Sequence, residues 1–282
     1  MPVYIVEIWV FFTGLCIGSF LNVCIYRLPS TKTISNPPRS QCPACGTSIR
    51  FIDNIPVISY LFLLGRCRTC KNPISIRYPI VELISGLFAL FTYMKYGATL
   101  DSLVFYLFIA ALIVITFIDI DHQIIPDVIS LPGILVCLGA SFIRTRHIGF
   151  FKTLPDRTAE ALSFIPVPSL TWNALLGILV GGGSLYLVAW GYYLMTRKEG
   201  MGGGDIKLLA MIGALLGWEG VFFTIFVGSA AGTAAGILLM ASSRLLDTKL
   251  RIPFGPFLSI GAIVYIFFGA RLIWEYVKFA RY

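Results

Sequence analysis

The chain has 282 residues, 57% of them hydrophobic and 13% charged, with a formal net charge of +8. Average soluble domains are about 45–50% apolar and about 25% charged, so this composition excludes an ordinary soluble protein and points to a polytopic membrane protein. The basic excess does not call for a nucleic-acid partner, because the charges gather in loops between apolar runs, where they act as a topology signal.

The first apolar run, residues 3–26, contains Glu7, has no basic leading region and continues through Asn22 to Arg27 without a small-residue cleavage site. It reads as a retained first helix and not as a secretory signal. A polar, cysteine-bearing stretch follows at 27–78. Further apolar runs fall at 79–96, 102–118, 128–143, 171–195, 205–218, 219–241 and 256–278. Several approach the roughly 20 residues needed to cross a bilayer. The run 205–218 is short, but if it crosses there are eight helices, and the basic loops 27–78, 196–204 and 242–255 share one side. Their Lys and Arg excess marks that side as cytoplasmic.

The expected fold is therefore all-α and polytopic, with about eight transmembrane helices and a small cytoplasmic loop domain. Its expected organisation is a first helix at 1–26, a tetra-cysteine loop at 27–78 and a transmembrane domain at 79–282. Segment 144–170 reads as an external loop with a short interfacial helix, and no strong internal repeat is visible. Glycines at 181–183 and 228–236 suit close helix packing in lipid.

Four of the seven cysteines form Cys42-Pro-Ala-Cys45 and Cys67-Arg-Thr-Cys70, with 21 residues between the pairs. Two such knuckles read as a tetrathiolate zinc site, since thiolates are soft ligands and two pairs supply tetrahedral geometry. Four thiolates fill the shell and leave no position for a catalytic water, so the Zn²⁺ is expected to be structural. The alternative is two disulfides or a redox pair, and a cytoplasmic loop disfavours stable disulfides. Cys16, Cys24 and Cys137 sit in apolar runs and read as inert helix residues.

Two aspartates stand out. Asp119 closes an apolar run and opens Asp119-Ile-Asp121-His122-Gln-Ile-Ile-Pro-Asp127, while Asp205 ends Gly202-Gly203-Gly204-Asp205 and opens the next run. Acids at the ends of membrane helices are costly unless something uses them. The eight-helix reading puts both on the cytoplasmic side, where two carboxylates brought together could share a proton and activate a water. Judged by its own helix, Asp205 lies at an N-terminus and Asp119 at a C-terminus. On that basis the shared proton is expected on Asp119. Asp127 reads as a helix N-cap, Asp121 as a solvated turn residue and His122 as a polar loop residue. Glu82 is expected to pair with Arg77 or to support the cysteine loop.

Taken in order, several motifs resemble those of the type IV prepilin peptidases. They are Gly18-Ser-Phe-Leu-Asn22-Val, Arg27-Leu-Pro29, the cysteine pairs, Arg77-Tyr-Pro79 with Val81-Glu82-Leu83, the Asp119–Asp127 stretch, Gly200-Met-Gly-Gly-Gly-Asp205 and Pro253-Phe-Gly255-Pro256. The resemblance covers nearly the whole chain and implies a bifunctional leader peptidase and N-methyltransferase of a bacterial inner membrane. It implies cleavage of a type IV prepilin or type II secretion pseudopilin at the cytoplasmic face, then methylation of the new N-terminus. It also implies S-adenosylmethionine as methyl donor, Asp119 and Asp205 as the catalytic pair, and an association of Gly65 with methylation. No Gly-x-Gly-x-x-Gly follows a predicted strand, so the donor rests on the resemblance alone.

Two other function classes remain open from the residues themselves. A transporter could use Asp119, Asp121 and Asp205 as a proton or cation path. A non-enzymatic assembly scaffold could use the cysteine loop and would not require the two aspartates to meet. Nothing in the sequence sets an oligomeric state.

Overall fold

The computed structural model describes residues 3–30, 39–144, 169–198, 202–242 and 253–279. The loop reading of 144–170 falls almost wholly outside the described residues, as do parts of the basic loops 196–204 and 242–255. Eight α-helices occur among the described residues: α1 (Val3–Arg27), α2 (Ile58–Phe62), α3 (Arg77–Tyr96), α4 (Leu100–His122), α5 (Asp127–Ile143), α6 (Ser169–Thr196), α7 (Gly203–Ser242) and α8 (Gly255–Phe279). A 3-10 turn spans Phe51–Asn54, and among the described residues the β-structure is limited to two isolated bridges.

Among the described residues five helices are long and apolar enough to cross a membrane: Tyr4–Arg27, Leu100–His122, Ser169–Thr196, Gly203–Ala241 and Gly255–Phe279. The shorter Asp127–Ile143 is also apolar. This is a multi-pass membrane protein, and with no water in the hydrocarbon each span must satisfy its backbone within its own helix. The chain forms two compact units, Met1–Ile118 and Asp119–Tyr282.

In the first unit α1 packs on α3 through small residues. The Ser85 hydroxyl donates to the Gly14 carbonyl at 2.8 Å, and the Asn22 amide donates to the Tyr78 carbonyl at 3.0 Å. A Cβ on Gly18 would stand 2.7 Å from Glu82 Cα, so the helices meet backbone to backbone there. Arg77 opens α3; its guanidinium donates to the Phe117 carbonyl at 3.0 Å and lies 4.7 Å from the Phe117 ring centroid.

In the second unit the runs 205–218 and 219–241 form one helical element, α7, broken at Gly217, whose φ of 76° and ψ of −179° are not helical. The break lies at the boundary expected between two spans. It frees carbonyls at the end of the first segment. Arg144, buried at the end of α5, donates to one of them, the Leu215 carbonyl, at 3.0 Å. Asn173 side-chain atoms come as close as 2.5 Å to where a Gly217 Cβ would be, so neither the backbone conformation nor the space admits a side chain. Helices α6 and α7 cross at Gly177 and Gly213, each lying where the other's Cβ would be. Gly181 joins this contact against Leu209, whereas Gly183 faces open space, so only part of the expected glycine stretch serves packing.

Candidate functional site

Asp119 occupies the last turn of α4, which ends at His122 in a Gln123 of φ 54°. The Gln123 N–H returns to the Asp119 carbonyl at 2.9 Å. The Asp119 side chain is buried, with the residue 5% exposed. Its Oδ2 accepts the backbone N–H of Gly255 at 2.9 Å. Gly255 is the first residue of α8, so Asp119 faces the N-terminal, electropositive end of another helix. A Cβ on Gly255 would stand 2.6 Å from Asp119 Oδ2, which explains the glycine in Pro253-Phe-Gly255-Pro256.

Asp205 is the third residue of α7 and is half-buried. Gly204, just before it, packs on Ile125, whose Cβ would lie 2.9 Å from a Gly204 Cβ. Ile125 also lines Gly255, with its Cδ1 3.5 Å from the place of a Gly255 Cβ. One isoleucine therefore joins the backbone beside Asp205 to the backbone that holds Asp119. Asp205 stands at the N-terminus of its own helix, whereas Asp119, at the C-terminus of α4, faces the N-terminus of α8.

Of the neighbouring acids, Asp127 departs from expectation. Asp127 begins α5 but makes no capping hydrogen bond; Pro126 holds the cap position. Asp127 instead pairs with Lys207, at 2.7 and 2.8 Å from its two carboxylate oxygens. The sequence reading missed Lys207, although its place two residues after Asp205 was available as a signal. Asp121 and His122 belong to the last helical turn and are exposed. Glu219, also not singled out, is buried just after the Gly217 break and accepts the Tyr265 hydroxyl at 3.4 Å.

The cysteine loop folds as two equivalent knuckles, a repeat that the sequence reading did not find. Cys42 N–H bonds the Thr47 carbonyl and Gly46 N–H the Cys42 carbonyl; Cys67 N–H bonds the Asn72 carbonyl and Lys71 N–H the Cys67 carbonyl. The bridges Gln41–Ser48 and Arg66–Pro73 close the two hairpins at matching positions. Gly46 and Lys71 occupy the same left-handed turn position, with φ of 70° and 60°. A lysine in place of the glycine hides the repeat at the sequence level.

The four Sγ atoms of Cys42, Cys45, Cys67 and Cys70 lie within 4.8 Å of one another, and Cys42 and Cys70 are 3.8 Å apart. Thiolates about 2.3 Å from a tetrahedral zinc ion stand about 3.8 Å from each other, so the residues fit that ion. Hydrogen bonding to the Thr47 side chain and then its backbone lowers the Cys45 thiol to about 6. The backbone N–H groups of Cys70 and Thr69 likewise pull the Cys67 thiol below its ordinary value. These donors favour the thiolate form that binds metal. Arg68 braces the cluster by a bidentate pair with Asp53, its closest contact being 2.6 Å.

Gly65 precedes the second knuckle with φ of 66°. Its N–H donates to the Tyr60 carbonyl at 2.9 Å and its carbonyl accepts the Ile74 N–H at 2.7 Å. A Cβ there would stand 2.9 Å from the Tyr60 hydroxyl oxygen. Both backbone groups of Gly65 thus bond within the knuckle region. Glu82 reaches the loop as expected: its Oε2 accepts the Val57 N–H at 2.7 Å.

A family model described as the bacterial peptidase A24 N-terminal domain matches residues 12–96, and one for the type IV leader peptidase family matches residues 106–237. The chain belongs to the type IV leader peptidase family. Among its relatives are proteins named prepilin leader peptidase/N-methyltransferase. The one from Pseudomonas aeruginosa is 36% identical over 291 residues, covering 95% of this chain and 92% of the relative. That of Pseudomonas putida is 36% identical, covering 92% and 89%, and that of Aeromonas hydrophila 36%, covering 92% and 90%. No solved structure matches. The leader peptidase model covers Asp119 and Asp205, and the N-terminal model covers all four clustered cysteines.

Proposed function

We propose that the protein is a membrane aspartic endopeptidase that removes the leader of a type IV prepilin or pseudopilin and then N-methylates the new N-terminus. The observation that carries the peptidase half is Ile125, which packs on Gly204, the neighbour of Asp205, and on Gly255, whose N–H holds the Asp119 carboxylate. The names of the relatives support both halves. The basic loops support cleavage at the cytoplasmic face of a bacterial inner membrane.

In this reading the two carboxylates hold one water and one proton between them. The ionised carboxylate takes a proton from the water as its oxygen attacks the scissile carbonyl. The protonated carboxyl donates to the carbonyl oxygen, and a proton then passes to the leaving amine as the C–N bond breaks. No covalent enzyme intermediate is needed. Cys42, Cys45, Cys67 and Cys70 would hold a zinc ion that keeps the loop folded, with no role in the hydrolysis. S-adenosylmethionine would supply the methyl group to the new N-terminal amine, which would lose a proton, with S-adenosylhomocysteine leaving. Gly65 contributes through the shape of the second knuckle, its backbone groups being engaged there.

Purified protein incubated with a prepilin and labelled methyl donor tests the reading. Asp119→Asn and Asp205→Asn should each lower cleavage by at least about 100-fold, the lower range of acid–base contributions, while zinc content stays at the wild-type level. Cleavage near the wild-type rate in either variant rules out the assignment. Proton-coupled transport by the purified protein, without cleavage, would favour the transporter reading instead.

A further inference from the structure

The stretch 51–64, between the two knuckles, exposes more apolar surface than a cytoplasmic loop tolerates. Phe51 is 90% exposed, Phe62 84% and Leu64 85%. Ile52 and Leu61 add to the same short segment, at 70% and 66%. Exposed apolar clusters of this kind mark interaction surfaces.

The segment's level relative to the first span decides what covers it. Val57, at its centre, is tied to Glu82 Oε2 at 2.7 Å. The Glu82 backbone packs against Gly18 of α1, and Tyr78, one turn earlier in α3, is bonded to Asn22. α1 is a candidate membrane span that ends at Arg27. At 1.5 Å per residue, Asn22 and Gly18 lie roughly 7 and 13 Å inside that end. The Glu82 tie therefore holds the 51–64 segment beside the span and not beyond its end. Interfacial segments sit about 5–10 Å into the boundary between headgroups and acyl chains. Arg50 and Arg66 are exposed at the two ends of the segment, where they complement anionic headgroups.

We propose that the 51–64 segment is an interfacial membrane anchor, with Phe51, Phe62 and Leu64 among the lipid chains and Arg50 and Arg66 at the phosphates. The cysteine cluster is then held against the bilayer surface by its own intervening segment. This rests on α1 crossing the membrane and not on the proposed enzymatic reaction.

A photoreactive residue in the full-length protein tests it. Phe62→p-benzoylphenylalanine is compared with Thr69→p-benzoylphenylalanine at an exposed polar position of the second knuckle, both in vesicles of phosphatidylethanolamine and phosphatidylglycerol. Illumination should give about tenfold more lipid adduct at Phe62 than at Thr69, as expected of a side chain inserted in the boundary. Equal labelling at the two positions overturns the proposal. So does an adduct at Phe62 that forms with added prepilin and not with lipid, which would make the segment a substrate surface. Leu64→p-benzoylphenylalanine gives the same comparison if the Phe62 variant does not fold.

Discussion

Gly255 donates its backbone N–H to Asp119 Oδ2 across 2.9 Å. The donor is the first amide of α8, and the acceptor sits in the last turn of α4. One oxygen of the carboxylate is thereby fixed. The same contact explains why a residue far from Asp119 in sequence bears on it.

Gly255→Ala places a methyl group against Asp119 Oδ2, where the gap is 2.6 Å. The carboxylate must move, and misplacing a catalytic group by about 1 Å can cost about 100-fold. Cleavage should fall by about that factor. Methylation of a substrate supplied already cleaved should persist, because the cysteine loop is untouched. The two rates, measured separately on the same preparation, check this; parallel loss of both would make Gly255 a folding residue.

Replacing Cys42, Cys45, Cys67 or Cys70 by Ser should release the metal and loosen the loop. Structural zinc contributes about 10–16 kcal/mol in small zinc peptides, far more than the loop's own apolar contacts can supply. Elemental analysis should fall from about one zinc per chain, and amide exchange across residues 39–78 should accelerate together. Unchanged exchange in a metal-free variant would show that the loop folds without the ion.

Gly65→Ala forces a side chain into a left-handed backbone and against Tyr60. The conformation alone costs about 1–2 kcal/mol for a non-glycine residue. If Gly65 shapes a methylation surface, methyl transfer should drop more than cleavage. Cleavage assayed beside label incorporation decides it, and an equal loss assigns the glycine to folding.

Asp127→Asn removes the partner of Lys207 from an exposed pair. Such pairs contribute about 0–1 kcal/mol, so thermal stability should change little. A cleavage rate within a few-fold of wild type would show that the pair is not part of the reacting group. A loss comparable to that of the Asp119 variant would place Asp127 or Lys207 in it.

The sequence by itself determined the membrane class, the two knuckles and the two aspartates. Apolar run length and C-x-x-C spacing are local quantities, and the bilayer and the metal impose them on any fold. The sequence divided 205–218 from 219–241, and the helix breaks at Gly217, close to that division. The environment of Asp119 was not legible. Its own helix presents a C-terminus, but packing brings the N-terminus of α8 to the carboxylate, and no local pattern encodes which helix end meets which side chain. The knuckle repeat was hidden because the shared feature is a left-handed backbone turn, which Gly46 and Lys71 both adopt. Asp127 read as a cap because capping is judged from the next few residues, whereas its partner Lys207 comes from another helix. The tertiary structure alone decided these pairings, since helix-end fields and ion pairs act through space over a few ångströms and take no account of sequence separation.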